Sequence, residues 1–396
     1  MRVLLINSVC GIGSTGRICT DLAEQFEKEG HVVKIAYGRD GNVAGEFQKY
    51  AVRIGNDTDV KIHGIRTRIL DEHGFGSTKA TKKFLKWADE YNPDLLWLHN
   101  IHGYYINVEL LFAWIKKRPY MQVKWTLHDC WSFTGHCAHF VAVGCEQWKE
   151  QCLSCCQKDT YPASKFKDNC RKNYIRKRDA FTGVKDMTLI TPSKWLADLT
   201  RESFLKEYPV EVHYNKIDKT VFKHTISNFR ETHNIKNKKI ILGVAGTWTE
   251  RKGFYDFIKL AEMLDDSYTV VLVGLSEEKF RTMKDAKPVD SSLKKMKSSK
   301  SEIVKFDTGV AIPTDVNVLY EVITGKKYEG NPDTQAEIIC IKRTNNAREL
   351  AEIYTTADMF VNPTYEDTYP TVNLEARACG TKVITYNIGG CIETLK

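Results

Sequence analysis

Twice in this chain an apolar strand passes through a short loop into an amphipathic helix, and that repeated plan restricts the fold more than any other feature. The first copy is Arg2-Val3-Leu4-Leu5-Ile6-Asn7, then Gly11-Ile12-Gly13-Ser14-Thr15-Gly16. Its helix carries Leu22, Ala23 and Phe26 on one face and ends at Gly30, before a strand over His31 to Tyr37. The second copy runs from Lys238 to Gly246, through Thr247-Trp248-Thr249-Glu250-Arg251-Lys252-Gly253, into a helix bearing Phe254, Phe257, Ile258 and Leu260. Strands without polar alternation are buried on both faces, as parallel sheets require. The expected class is therefore α/β, with two Rossmann-like doubly wound domains. With 396 residues, 42% of them hydrophobic, there is enough apolar material for two cores.

A second stretch shows where the chemistry lies. Met359-Phe360-Val361 ends at Asn362-Pro363, and a helix begins near Pro370 and stops at Gly380. Asp367 precedes that helix and Glu375 lies inside it, with seven residues between the two acids. Free N–H groups at a helix tip bind an anion, while the carboxylates accept hydrogen bonds from hydroxyls. A phosphorylated sugar has both parts. The same spacing also suits a capping acid followed by a solvated helix residue.

Acid, seven residues, Glu, then Ala-Arg-Ala-Cys-Gly and a strand resembles the donor-site signature of glycosyltransferase family 4, retaining enzymes of the GT-B fold. The resemblance implies two Rossmann-like domains facing across a cleft, residues 1–215 on the acceptor side and 216–396 on the nucleotide-sugar side. It implies that Glu375 binds the nucleotide ribose and Asp367, which stands where Glu is more usual, contacts the donor sugar. Lys252 and Arg251 would neutralise the diphosphate with Thr371 at the helix start, and Gly13 would approach the donor. His128, at the end of the strand Val123 to Leu127, matches a cleft histidine near the donor sugar. Catalysis would thus rest on His128, Lys252, Asp367 and Glu375. Gly11, Gly16, Arg17, His99 and His102 would line the acceptor side. The implied reaction moves a sugar from a UDP- or GDP-linked donor to a glycan or lipid-linked acceptor of a surface polysaccharide. No cofactor is required for it. The resemblance also implies that the chain stops short of the family's usual C-terminus.

Other classes stay open. Gly11-x-Gly13-x-x-Gly16 also spells the loop of NAD-dependent oxidoreductases, although the acid expected at the end of the next strand is displaced by Tyr37-Gly38-Arg39-Asp40. A non-catalytic nucleotide-sugar-binding protein is the third reading. Lys and Arg exceed Asp and Glu by 58 − 50 = 8. That balance fits phosphorylated substrates or an anionic membrane surface, and falls short of a nucleic-acid binder. The N-terminal apolar run is too short for a signal or a span, and no later run supplies about 20 apolar residues. A cytoplasmic chain is expected, with peripheral contact at the inner face of the membrane. The basic run Asn169 to Arg178 is expected as a helix, either a solvated face or a membrane-facing edge.

Twelve cysteines are present, seven of them from Cys130 to Cys170. In a reducing compartment, Cys137, Cys145, Cys152 and Cys155 suit either a closed structural zinc site or free thiols under a loop. Cys130, His136, His139, Cys156 or Cys170 could replace any one ligand. The segment 130–170 resembles an insertion of a capsule and exopolysaccharide subgroup of the family. A second, polar insertion is expected over 277–336, with a low-complexity, disordered run from Ser291 to Ser301.

Overall fold

A computed structural model describes residues 1–286 and 302–396. The run expected to be disordered, 291–301, lies outside the described residues. The chain divides into two compact units, Met1–Phe140 with Cys145–His213, and Val141–Gly144 with Tyr214–Lys396.

The first unit carries β1 (Arg2–Asn7), β2 (Val32–Tyr37), β3 (Ala51–Arg53), β4 (Leu95–Leu98), β5 (Gln122–Thr126), β6 (Met187–Thr191) and β7 (Val210–Val212). Its helices are α1 (Gly13–Lys28), α2 (Asp57–Leu70), α3 (Thr78–Tyr91), α4 (Val108–Lys116), α5 (Cys170–Phe181) and α6 (Lys194–Glu202). The strands form one sheet in the order β3-β2-β1-β4-β5-β6-β7, parallel throughout. Five of the six residues of β1 are buried, as a central strand covered on both faces requires. The order reverses between β1 and β4. Loops leaving the carboxyl ends of those two strands therefore diverge to opposite faces and open a crevice, the usual ligand position in such sheets.

The second unit carries β8 (Lys239–Val244), β9 (Tyr268–Val273), β10 (Val304–Phe306), β11 (Gly309–Ile312), β12 (Glu337–Ile341), β13 (Met359–Asn362) and β14 (Lys382–Tyr386). Its helices are α7 (Phe229–Thr232), α8 (Phe254–Met263), α9 (Glu277–Asp285), α10 (Val316–Thr324), α11 (Ala347–Thr356) and α12 (Thr371–Ala378). The sheet order is β10-β11-β14-β13-β8-β9-β12, parallel except for the β10–β11 hairpin. Read from β12 to β14 it repeats the first unit's plan, with the reversal between β8 and β13. Phe254, Phe257 and Leu260 of α8 pack with Val270 and Leu272 of β9 in the core on one face of this sheet.

The polar insertion is not simply a surface excursion. Gly309–Ile312 lies fully buried against β14, and β10 folds back on it, so the segment 304–312 extends the sheet beyond β14. A short Gly-Val-Ala-Ile run gives too little period to read as a strand from sequence, yet burial on both faces makes it one.

Residues 170–181 form the helix α5 expected there, with Arg171, Lys172 and Arg178 exposed, but two of its cations are turned inward. Lys177 is buried, donating to the carbonyls of Trp131 and Thr134 at 2.7 and 3.0 Å with its ammonium over the Trp131 ring. Burial brings its pKa down to about 7. Arg176 makes a bidentate pair with Glu109 and lies over Phe75.

Candidate active site

In the second unit, two loops meet at the β8–β13 reversal. Gly253 makes the approach possible. It sits at φ +73°, and a Cβ there would lie 2.3 Å from the carbonyl oxygen of Pro363. Neither the left-handed backbone nor the contact tolerates a side chain. Gly253→Ala is expected to cost about 2–4 kcal/mol, read as a fall in thermal midpoint. An unchanged midpoint would show that the loops do not depend on this contact.

The meeting brings three of the sequence-derived residues together, Arg251, Lys252 and Asp367. Lys252 Nζ pairs with Asp367 Oδ2 at 2.5 Å. Arg251 donates from its guanidinium to the carbonyl of Glu366, and its own carbonyl accepts from the Tyr365 N–H at 2.8 Å. The Asp367 carbonyl in turn accepts from Gly390 N–H at 2.9 Å, which seats the Gly389-Gly390 turn against the acid. Trp248, which with Thr247 is one of two candidates for the position of an arginine in the resembling family, is a core residue, 3% exposed and donating to Val273 O at 2.9 Å; the loop's cations are Arg251 and Lys252.

Helix α12 begins immediately beyond Asp367. Thr371 is its first residue, and the N-cap, Pro370, supplies no side-chain hydrogen bond to the first turn. An uncapped helix start aims its N–H groups and the positive end of its dipole outward. Glu375 lies one turn further in, 6% exposed, and accepts from Tyr354 Oη at 3.1 Å. Asn373 fixes the helix from behind, bonded to Asn362 and Thr394 at 2.9 and 2.8 Å. Two cations, a helix start and two carboxylates of different exposure thus lie along one sheet edge. Such a set can hold a diphosphate and orient the hydroxyls attached to it.

Sequence reasoning passed over Glu366. It is fully buried, and its Oε2 accepts the backbone N–H groups of Val141 and Ala142 at 2.8 and 3.3 Å. The only signal was its place beside Asp367 in an acidic pair.

In the first unit, the crevice at the β1–β4 reversal gathers the histidines. His99 and His128 follow β4 and β5 and stack, Nδ1 to Nε2 at 3.2 Å. His102 Nε2 meets Asp129 Oδ2 at 3.0 Å and its Nδ1 meets Tyr161 Oη at 3.3 Å. His99, His102, His128 and Asp129, with Trp131 and Ser132, line one small cavity. Burial pushes His128 down to about 4 and His99 well below its ordinary value, so both are neutral near pH 7. Asp129 is held well below the usual carboxylate range by the His102 charge and hydrogen bond, against the opposing effect of its burial. Asp129 and Tyr161 were not singled out from sequence, because their partners are 27 and 59 residues away from them.

The glycine loop has a structural reason of its own. Gly11 and Gly13 have φ of +71° and +66°, and the Gly11 N–H closes on the Gly16 carbonyl at 3.2 Å. Arg17 is exposed on α1. Gly13, grouped from sequence with the donor residues, belongs to the first unit, whereas Lys252, Thr371 and Glu375 belong to the second. The nicotinamide reading needs an acid at the end of β2. Tyr37 occupies that end, buried, and Asp40 is exposed three residues on.

A structural zinc site and free thiols are the two expectations for the cysteine segment, none of whose cysteines is in a disulfide. Cys137 and Cys155 are hydrogen-bonded to each other, and Cys152 Sγ accepts from the Gly135 N–H at 3.3 Å. Among the described residues no group of three or more His, Cys, Asp or Glu side chains is placed to hold a metal ion. Cys145 and Cys152 lie within electrostatic reach of Cys137 without closing on a common centre. The His136–Asp71 pair, buried at 2.5 Å, supplies a polar anchor instead, tying the segment to the end of α2.

Comparison with known proteins places these features. The family described as Glycosyl transferases group 1 matches residues 326–396, the part holding β13, α12 and both acids. A relative named as the colanic acid biosynthesis glycosyl transferase WcaC of Escherichia coli (strain K12) is 27% identical over 209 residues. That match spans half of this chain and half of the relative. Among solved structures, sucrose-phosphate synthase from Thermosynechococcus elongatus aligns with a TM-score of 0.57 at 14% identity, over 98% of this chain and 82% of that one. Anabaena Alr3699/HepE, solved in complex with UDP and glucose, aligns with a TM-score of 0.53 at 13% identity, over 99% and 82%. The fold is that of the GT-B glycosyltransferases, two α/β units each built on a parallel-dominant sheet.

Proposed function

We propose that this chain is a glycosyltransferase that moves a hexosyl group, with retention, from a nucleotide-sugar donor to a glycan or lipid-linked acceptor in surface polysaccharide synthesis. The observation that carries the reading is the convergence at the β8–β13 reversal of Lys252, Arg251, Asp367 and the uncapped start of α12, with Glu375 one turn behind. The match of residues 326–396 to the transferase family supports it, as does the resemblance to WcaC. The UDP bound by the structural neighbour HepE favours a uridine donor over a guanosine one.

In this reading the diphosphate takes Lys252 away from Asp367 and lies along the start of α12. Two cations and a helix dipole then stabilise the charge that grows on the leaving phosphate, the part a metal ion plays elsewhere. Glu375, held by Tyr354, accepts hydrogen bonds from the ribose hydroxyls. Asp367, released from Lys252, faces the sugar. His128, in the first unit, is neutral near pH 7 and can donate or accept a hydrogen bond without adding charge. No group is assigned as a general base, because in retention the departing phosphate oxygen can itself take the acceptor's proton.

Thermal shift with UDP, GDP, ADP and NAD, on this chain and on Glu375→Ala, tests the reading. A ligand specific for the folded state, at about a hundred times its dissociation constant, stabilises it by about 2.7 kcal/mol. UDP is expected to shift the chain and to lose most of that shift in Glu375→Ala. A shift with NAD alone, unaffected by the substitution, would move the ligand site to the Gly11–Gly16 loop and overturn the proposal.

A further inference from the structure

Val141–Gly144 belongs to the second unit, although the chain on either side of it, up to Phe140 and from Cys145, belongs to the first. The four residues close on themselves. Val141–Val143 is a single 3-10 turn, the Gly144 N–H donates to the Val141 carbonyl at 2.9 Å, and the Cys145 N–H donates to the Phe140 carbonyl at 3.2 Å. Gly144 takes the left-handed φ of +63° on which the turn ends. A turn of this kind leaves its first N–H groups without partners of its own. Glu366 supplies one for both. Its carboxylate is fully buried and accepts from Val141 and Ala142 at 2.8 and 3.3 Å, across 225 and 224 residues of sequence. Val141 also packs against the apolar core of the second unit, as Tyr365 does.

Glu366 is fixed at its backbone as well. Its carbonyl accepts from the Arg251 guanidinium and from Thr364 Oγ1, the latter at 3.2 Å. Asp367, the next residue, pairs with Lys252 through Oδ2 and accepts the Tyr369 N–H on Oδ1 at 3.2 Å. In the proposed reaction a diphosphate draws Lys252 away from this acid and competes for the charge of Arg251. Two of the groups that steady the 364–367 turn are then recruited by the ligand. The Glu366 carboxylate is not, because it is buried and bonded to backbone N–H groups. Hydrogen bonds from N–H groups to an ionised carboxylate are about twice as strong as those between neutral groups.

We infer that Glu366 is a positioning residue for Asp367, and that Val141 and Ala142 are the brace through which it acts. This role rests on the donor reading proposed above and adds to it the part that keeps the sugar-facing acid in place once the diphosphate has taken Lys252. Glu366 itself does not touch the donor. The segment 130–170 thereby has a use that is independent of its cysteines, since it carries the two N–H groups on which the donor loop is hung. A positioning group misplaced by about 1 Å can lower a rate about a hundredfold, so a loosened 364–367 turn shows first in turnover.

Amide hydrogen exchange, UDP binding and sugar-transfer kinetics on the full chain test this role, with two single variants and their combination. Glu366→Gln keeps the size of the side chain and removes its charge. Val141→Pro leaves Glu366 intact and deletes the N–H at 2.8 Å, at the first position of a turn, where the fixed φ of proline is tolerated. Each is expected to speed exchange over residues 362–369 about tenfold or more and to lower kcat about tenfold or more, with the Kd of UDP within about twofold of the unsubstituted value. UDP carries no sugar for Asp367 to hold, so loss of the brace spares UDP binding, whereas a general loosening of the donor site does not. The double variant should be no worse than the worse single one, because both cut the same path. Three results would overturn the role: unsubstituted exchange over 362–369 in either single variant, defects that multiply in the double variant, or a fall in UDP affinity that matches the fall in kcat. If UDP does not bind the unsubstituted chain, the donor reading fails, and exchange in the free chain still decides whether Val141 and Ala142 brace the turn.

Discussion

Lys252→Ala is expected to lower kcat for sugar transfer about 10²–10³-fold, equivalent to about 2.7–4 kcal/mol of lost stabilisation, while the protein stays folded. The Lys252 side chain is a quarter exposed and its recorded partner is Asp367. Removing it deletes no core contact. What it deletes is the cation that a departing diphosphate would meet. UDP binding should weaken too, since UDP keeps the full charge of the leaving group. Arg251→Ala should behave differently. Its guanidinium holds the Glu366 carbonyl, so the loss combines charge with a contact that fixes the 364–367 turn. A lower midpoint is expected there and not for Lys252→Ala. Lys252→Ala with wild-type kcat would exclude the proposed leaving-group role, whatever the effect on binding.

How much of this was legible in the sequence follows from the range of each interaction. The strand, loop and helix units were readable because their signals are local: apolar runs in β1 and β8, glycines after β1, and a proline–glycine frame around α12. The pairing of Lys252 with Asp367 spans 115 residues, and it entered the sequence reading only through resemblance to a family. Once the strand order is known, physics supplies it, because the loops after β8 and β13 leave adjacent strands at the reversal of the sheet. Relations that no motif records went unread. Tyr161 reaches His102, and Lys177 is buried in a stretch whose composition suggests a solvated face. Hydrogen bonds to carbonyls of the following fold cannot be counted from composition, so a basic run was taken for surface. The outward isoleucines of α2, Ile62, Ile65 and Ile69, have the opposite cause. Their helical period reads as a core-facing stripe, and only the buried His63 and Thr67 show which side packs.

On acidification from pH 6.5 to 4 the first unit should lose stability while the second does not. His63 on α2 is 1% exposed; its Nε2 lies 3.3 and 3.1 Å from the N–H groups of Gly74 and Gly76 and 3.3 Å from the Glu72 carbonyl, and its Nδ1 lies 2.9 Å from Ser77 Oγ. Burial lowers its pKa from 6.5 to about 4. The sign follows directly. Between those values the unfolded chain binds a proton that the folded chain refuses, so stability is complete above about pH 6.5 and falls as pH drops towards 4, by about 3 kcal/mol for this residue. His73, fully engaged on one side by the Gly103 N–H, and His99 are lowered by burial and act in the same direction. In the second unit Asp256 is half-buried with its carboxyl enclosed and accepting from Tyr365 Oη, and that desolvation raises its pKa from 3.8 to about 7. Here the folded state holds the extra proton, so stability rises as pH falls through the same window. Differential scanning calorimetry should therefore resolve one transition that moves down with acid and one that does not. His63→Gln keeps an acceptor for both N–H groups but cannot be protonated, so it should flatten the pH dependence of the first transition. If both transitions fall together and His63→Gln changes neither slope, the buried histidines are not what makes this chain sensitive to acid.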